Sequence, residues 1–421
     1  MLLTWRSESI PASHSLRQLV SEMQRSRHLH RVTLERLDRD AVELLVTAAQ
    51  IDKTIDRAEL AAHLDREAEG LPLFIVEYLD LIAAGKHSAQ ADNWQLPATI
   101  SELLRARLSN VSEMEQQLLA TAAVIGRSFD FDVLSAVSGR SEDESVSALE
   151  ALTARGLIRE SDSTNTDVIT YDFYHEQFRG LVYHEMNAAR RRLLHRRVAE
   201  ALHTIARRVG QDLGELSGQL AQHWELGGAP EQAAEYYALA GGHSRTLHAN
   251  QAALAQFQKA LALGRTDRAA LHTAIADLHT LSGDYAAARR SYETAAALAD
   301  EGELAEIEYA LGRLCNRLGE WDAAEASFAE ALERSADPQS QARIYADWSL
   351  SAFQNGDADR ARQLAGDSLQ QAILADDISA LAQSHNIVGI LSRRDGRLDR
   401  AIDHGESSLA AADAFDDLAA A

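Results

Sequence analysis

The chain has 421 residues, 46% of them apolar and only 5 of them proline, which points to about two to four domains built mainly from long helices. A single cysteine, Cys315, excludes an internal disulfide. No run approaches the roughly 20 apolar residues that span a bilayer, and the first residues lack the order of a signal peptide, so a cytoplasmic chain is expected. Net charge is -23, with 25 basic and 31 acidic side chains in residues 1–210 and 16 and 33 in the remainder; the second half would therefore repel nucleic-acid phosphate.

In chain order, Gly70-Leu71-Pro72 precedes the apolar stretch Leu73–Leu81, read as a buried helix with proline at its start. Leu103, Leu104 and Leu108 open an amphipathic run that continues through Leu118, Leu119, Ala122, Ala123 and Val124 and breaks at Gly126-Arg127-Ser128. A second helix is predicted near Phe131–Val137 and a third near Glu142–Arg155, ended by Gly156. Leu157-Ile158-Arg159-Glu160 and Ile169, Tyr171, Phe173 flank the polar stretch Ser161–Asp167, the pattern of a hairpin. Three helices and a hairpin make a winged helix over residues 98–185. Its third helix carries Glu142, Asp143, Glu144 and Glu150, with only Arg155 at the end, so direct nucleic-acid binding is not expected. The basic run Arg190–Arg197 reads as a solvated helix face.

Further along, one pattern recurs: Gly, then Ala five residues on, an aromatic four further, and Ala three further. It occurs at Gly228, Ala233, Tyr237, Ala240, at Gly283, Ala288, Tyr292, Ala295, and at Gly319, Ala324, Phe328, Ala331. Weaker copies are Gly356, Ala361, Ala365, Ser368 and Gly396, Ala401, Gly405, Ser408, and Ala253, Phe257, Ala260 keeps the second half alone. Seven residues before four of these glycines stand Ala276, Gly312, Ser349 and Gly389. The glycine suits a helix end with positive φ, and the small residues let two helices approach closely around an aromatic knob. Each pair leaves an apolar face for the next pair to cover. This resembles the tetratricopeptide repeat over about residues 265–415, which implies binding of a protein or peptide in a groove. The spacing from Ala288 runs 36, 37 and 40 residues, longer than the usual repeat, and the usual proline after the second helix is missing except near Pro338.

Catalytic patterns are incomplete. His175-Glu176 and His184-Glu185 begin like a zinc-protease motif, but the positions four residues after each histidine hold Arg179 and Ala188. The 16 histidines lack metal-ligand spacing, and none of Lys53, Lys86 and Lys259 follows a glycine-rich phosphate loop. No catalysis by this chain is expected.

Leu2-Leu3-Thr4-Trp5-Arg6-Ser7, Gly70-Leu71-Pro72 and Phe173-Tyr174-His175-Glu176 together resemble the signal-transducing ATPases with numerous domains, in their large bacterial transcriptional-regulator branch. The run from Leu96 through Ala201, with Arg190–Arg197, fits that branch, and the resemblance covers about residues 1–262. It implies that Arg6 reads a γ-phosphate, that Pro72 packs on adenine, and that His175 touches the β-phosphate of ADP in the resting state. Beside these stand plainer readings: a surface arginine, a helix-starting proline, a packed core histidine. The expected fold is mainly α: a remnant sensor strand (1–12), a helical lid (13–97), the winged helix (98–185), a helical connector with the first degenerate repeats (186–262), and an α-solenoid of tetratricopeptide-like pairs (263–421), cut at its end. The expected function is the switch module and sensor arm of an ATP-binding regulator, with ATP or ADP bound only in a full-length context, where it could also form oligomers. The rival reading is a free-standing scaffold that uses no nucleotide.

Overall fold

The computed structural model describes residues 36–49, 51, 55–83, 101–102, 104–105, 108, 111–161 and 168–420. The chain divides into two compact units, residues 1–213 with 222–229, and residues 214–221 with 230–421.

The first unit begins with α1 (Arg39–Ala48), α2 (Arg57–Ala68) and α3 (Pro72–Ala83). Asp38 and Asp56 cap α1 and α2 by accepting from the free amides of the first turn. The expected helix after Pro72 is present, and Phe74, Ile75, Tyr78, Leu79 and Ile82 of α3 are buried. Next come α4 (Glu113–Ile125), β1 (Ser128–Asp130), α5 (Phe131–Ser138), α6 (Glu142–Ala154), β2 (Ile158–Glu160) and β3 (Thr170–Phe173). Ser112 with Glu115 and Ser141 with Glu144 form capping boxes that fix the starts of α4 and α6. The predicted hairpin is antiparallel, with Ile158 opposite Phe173 and Glu160 opposite Tyr171. β1 pairs with the other side of β3, giving the sheet order β1-β3-β2. The segment around Ser128, read from sequence as a break, therefore supplies a third strand. Phe129, Leu134, Leu149, Leu152 and Phe173 form the dry centre of this part. Arg155, the one base at the end of α6, is tied up in an ion pair with Glu115. The unit continues through α7 (Glu176–Glu185) and α8 (Ala188–Val209); α9 (Leu213–Leu226) contributes to both units.

The second unit is a succession of helix pairs: α10 (Pro230–Thr246) with α11 (Asn250–Ala262), α12 (Arg268–Ser282) with α13 (Tyr285–Leu298), α14 (Glu301–Leu318) with α15 (Trp321–Arg334), α16 (Pro338–Gln354) with α17 (Ala358–Ala375), and α18 (Ile378–Arg394) with α19 (Leu398–Ala420). From α11 to α18 each second helix also packs on the first helix of the next pair. The repeated glycines between paired helices have φ of 82°, 73°, 90° and 74° at Gly283, Gly319, Gly356 and Gly396, the left-handed backbone that side chains disfavour. The notch positions Ala276, Gly312, Ser349 and Gly389 are all buried. A Cβ on Gly312 would stand 2.6 Å from the Phe328 ring, and one on Gly241 2.5 Å from Phe257. The missing side chain is thus the space that the aromatic knob fills. Ala324, Phe328 and Ala331 then continue into one core with Ile344, Trp348, Ala361 and Leu364 of the following pair.

Candidate functional site

Three places concentrate polar groups against this apolar background. The first lies where α2 ends. Glu69, its C-cap, takes the left-handed backbone (φ 49°, ψ 40°), and Gly70 follows at φ 71°. A Cβ on Gly70 would press into the carbonyl of Leu37, and the Leu37 amide donates to the Gly70 carbonyl at 2.8 Å. That turn sets Arg36 beside Glu69. From the other side β3 ends at Phe173, and His175 caps the start of α7 in extended backbone.

The Glu69 carboxylate is the centre of the cluster. It accepts from Arg36 at 2.8 Å, from Arg127 at 3.0 Å and from the Glu176 amide at 3.0 Å. Arg36 also donates to the Tyr174 carbonyl at 3.0 Å and faces His175 Nδ1 at 3.2 Å; an arginine can only donate, so Nδ1 accepts. His175 is 8% exposed, with the Phe74 ring at 6.1 Å and the Tyr174 ring at 4.9 Å. Burial pushes the Glu69 carboxyl up, but the Glu176 amide, Arg36 and Arg127 outweigh it and hold the group at about 2.

Of the residues singled out from sequence, His175 lies inside this cluster. Pro72 is the exposed first residue of α3, and Arg6 lies outside the described residues. The anion beside His175 is the chain's own carboxylate, and the sequence has no phosphate loop. Sequence reading missed Glu69, Arg36 and Arg127, although Glu69 directly precedes Gly70-Leu71-Pro72 and Arg127 follows Gly126. A second buried cluster sits in the same unit: Tyr183 Oη lies 2.8 Å from His195 Nε2, and His195 Nδ1 lies 2.9 Å from His223 Nδ1.

In the repeat unit the polar residues run across successive first helices. Asp347 of α16 accepts from Tyr309 of α14 at 2.7 Å and from Gln383 of α18 at 2.8 Å, and pairs with Arg313 of α14 at 3.4 Å. One carboxylate thus pins three consecutive first helices. Among the described residues no group of three metal-ligating side chains converges, and no helix is long and apolar enough to cross a membrane.

These features define a mainly α fold whose second unit is a tetratricopeptide-type succession of helix pairs. The family model described as tetratricopeptide repeat matches residues 309–342, the stretch from Tyr309 on α14 to Ala342 on α16. No curated protein matches the chain. Among solved structures, a signal transduction ATPase with numerous domains and a tetratricopeptide repeat sensor, from Pyrococcus horikoshii, is 16% identical with a TM-score of 0.44, over 92% of this chain and 55% of that one. BtubC from P. vanneervenii is 20% identical with a TM-score of 0.40, over 52% of this chain and 92% of that one. YrrB, a tetratricopeptide protein with an unusual peptide-binding site, is 18% identical with a TM-score of 0.35, over 45% and 89%. The chain spans about half the length of the ATPase it resembles.

Proposed function

We propose that this chain is the switch module and protein- or peptide-binding sensor arm of an ATP-linked, transcription-regulating signalling protein. In that reading residues 13–97 are a helical lid, 98–185 a winged helix and 263–421 the arm. The observation that carries it is His175. It follows the last strand of a three-helix, three-stranded module, and it meets the segment bearing Gly70-Leu71-Pro72 through Phe74 and the Glu69 cluster. A histidine at that junction senses whether the two parts are closed on each other. A bound nucleotide would supply phosphate charge at the junction. The chain's own part is to orient His175 and keep it nearly dry.

The test joins the chain to a phosphate-loop domain of the same family and compares wild type with His175→Ala. The variant is expected to bind ADP about tenfold to a hundredfold more weakly, the range a lost charge-assisted hydrogen bond gives, and to shift towards larger assemblies. Equal affinity with an unchanged monomer would overturn the reading. The chain alone is expected to show no turnover of magnesium-ATP above background, because its sequence lacks the phosphate loop.

The free-standing scaffold is favoured by one observation: the anion beside His175 is already present as Glu69. In that case His175→Ala would leave the ADP affinity of the joined protein unchanged.

A further inference from the structure

Three donors from separate parts of the chain converge on one anion: Arg36 before α1, Arg127 at the edge of β1, and the first backbone amide of α7. Their sequence separations from Glu69 are 33, 58 and 107 residues. The Glu69 side chain is 11% exposed, whereas Arg36 and Arg127 are 37% and 47% exposed. Solvent therefore reaches the guanidinium groups while the carboxylate fills the space between them. With Glu69 removed, two permanent positive charges and a helix-start amide would face an empty pocket walled by His175, the arrangement that oxyanions occupy. Glu69 is delivered there by non-glycine left-handed backbone, a conformation that an ordinary helix end leaves to glycine or asparagine.

We propose that Glu69 is a tethered plug: its carboxylate occupies an oxyanion cradle made by Arg36, Arg127 and the Glu176 amide, and excludes phosphate from it. The plug is an autoinhibitory contact, and it deepens the switch reading above by naming what holds the junction closed in this chain. An external phosphate group and the internal carboxylate compete for the same donors. Occupation by one frees the other, and release of Glu69 loosens the turn at Gly70 that fixes α3.

The experiment uses the whole chain with inorganic phosphate and pyrophosphate as probes, against sodium chloride at equal ionic strength. Glu69→Ala is expected to bind phosphate at least about tenfold more tightly than wild type by calorimetry, and to gain melting temperature with added phosphate while wild type gains none. Glu69→Gln, which keeps the shape of the side chain, guards against simple misfolding; it should show the same direction with a smaller gain. Adding Arg127→Ala to Glu69→Ala should abolish the gain. Folded variants that bind phosphate no better than wild type would overturn the plug, as would wild type binding phosphate as tightly as Glu69→Ala. Neither result bears on the ADP experiment with the joined domain, which tests the switch reading separately.

Discussion

The two units solve the same packing problem with different means. In the repeat unit the contacts that join the two helices of a pair are local and apolar: Gly312 and Phe328 belong to adjacent helices, and the notch of one receives the ring of the other. In the first unit the decisive contacts are polar and distant in sequence, with Glu69 bonded to the Glu176 amide and Arg36 to the Tyr174 carbonyl, 138 residues away. Local complementarity can be repeated along a chain. A long-range charge cluster is made once, and every member depends on the others.

The largest effect should come from placing a charge in a notch. Ala324→Asp puts an unpaired carboxylate at a fully buried position and should cost more than about 4 kcal/mol. Hydrogen-exchange mass spectrometry should show α14 to α16 opening while α4 to α7 stay protected. Uniform opening of both units would erase the contrast.

The first unit should instead be the more acid-sensitive. His195 and His223 titrate near 4 rather than 6.5, through burial first, then through Arg191 for His195 and His195 for His223. Between pH 6.5 and about 4 the unfolded chain takes up protons that the folded pair refuses, so stability falls as pH drops through that window. The loss should reach roughly 3 kcal/mol from His223 alone. His223→Gln should flatten the dependence of melting temperature on pH, and an unchanged slope would show that other groups govern it.

A smaller effect is expected from filling the notch without charge. Gly312→Val forces a branched side chain towards the Phe328 ring and should cost about 1–3 kcal/mol by overpacking. Urea melts read by Trp321 and Trp348 would register it, and no change would mean that the ring moves aside freely. Smallest, and equal in both units, should be the loss of a cap. Ser141→Ala and Asp300→Ala each break a capping box and should each cost about 1 kcal/mol. Matching losses would confirm that local signals carry the same weight in both regions, and that only the long-range contacts differ.

The same contrast explains what the sequence disclosed. Gly283, Ala288, Tyr292 and Ala295 and their later copies were readable because the reason for each residue lies within one helix pair. The hairpin was readable from alternation at Ile169, Tyr171 and Phe173. β1 was not, since three residues carry no alternation and gain their pairing only from β3. Glu69 resembled any solvent-facing helix end, because its partners stand 33 to 107 residues away. His195 and His223 were passed over for a related reason: separation by 28 residues matches no ligand spacing. His175 was found only through a motif, and its true neighbours were not.

Asp347 ties the repeat array together differently from its apolar notches. A knob and its notch sit in one pair, so a pair of helices can be duplicated or deleted by recombination and arrive with its own fit intact. The carboxylate that joins Tyr309, Arg313 and Gln383 spans three pairs, and a break anywhere between Tyr309 and Gln383 would cost it at least one partner. That stretch should be inherited as a block, while the rest of the array is free to lengthen or shorten around it.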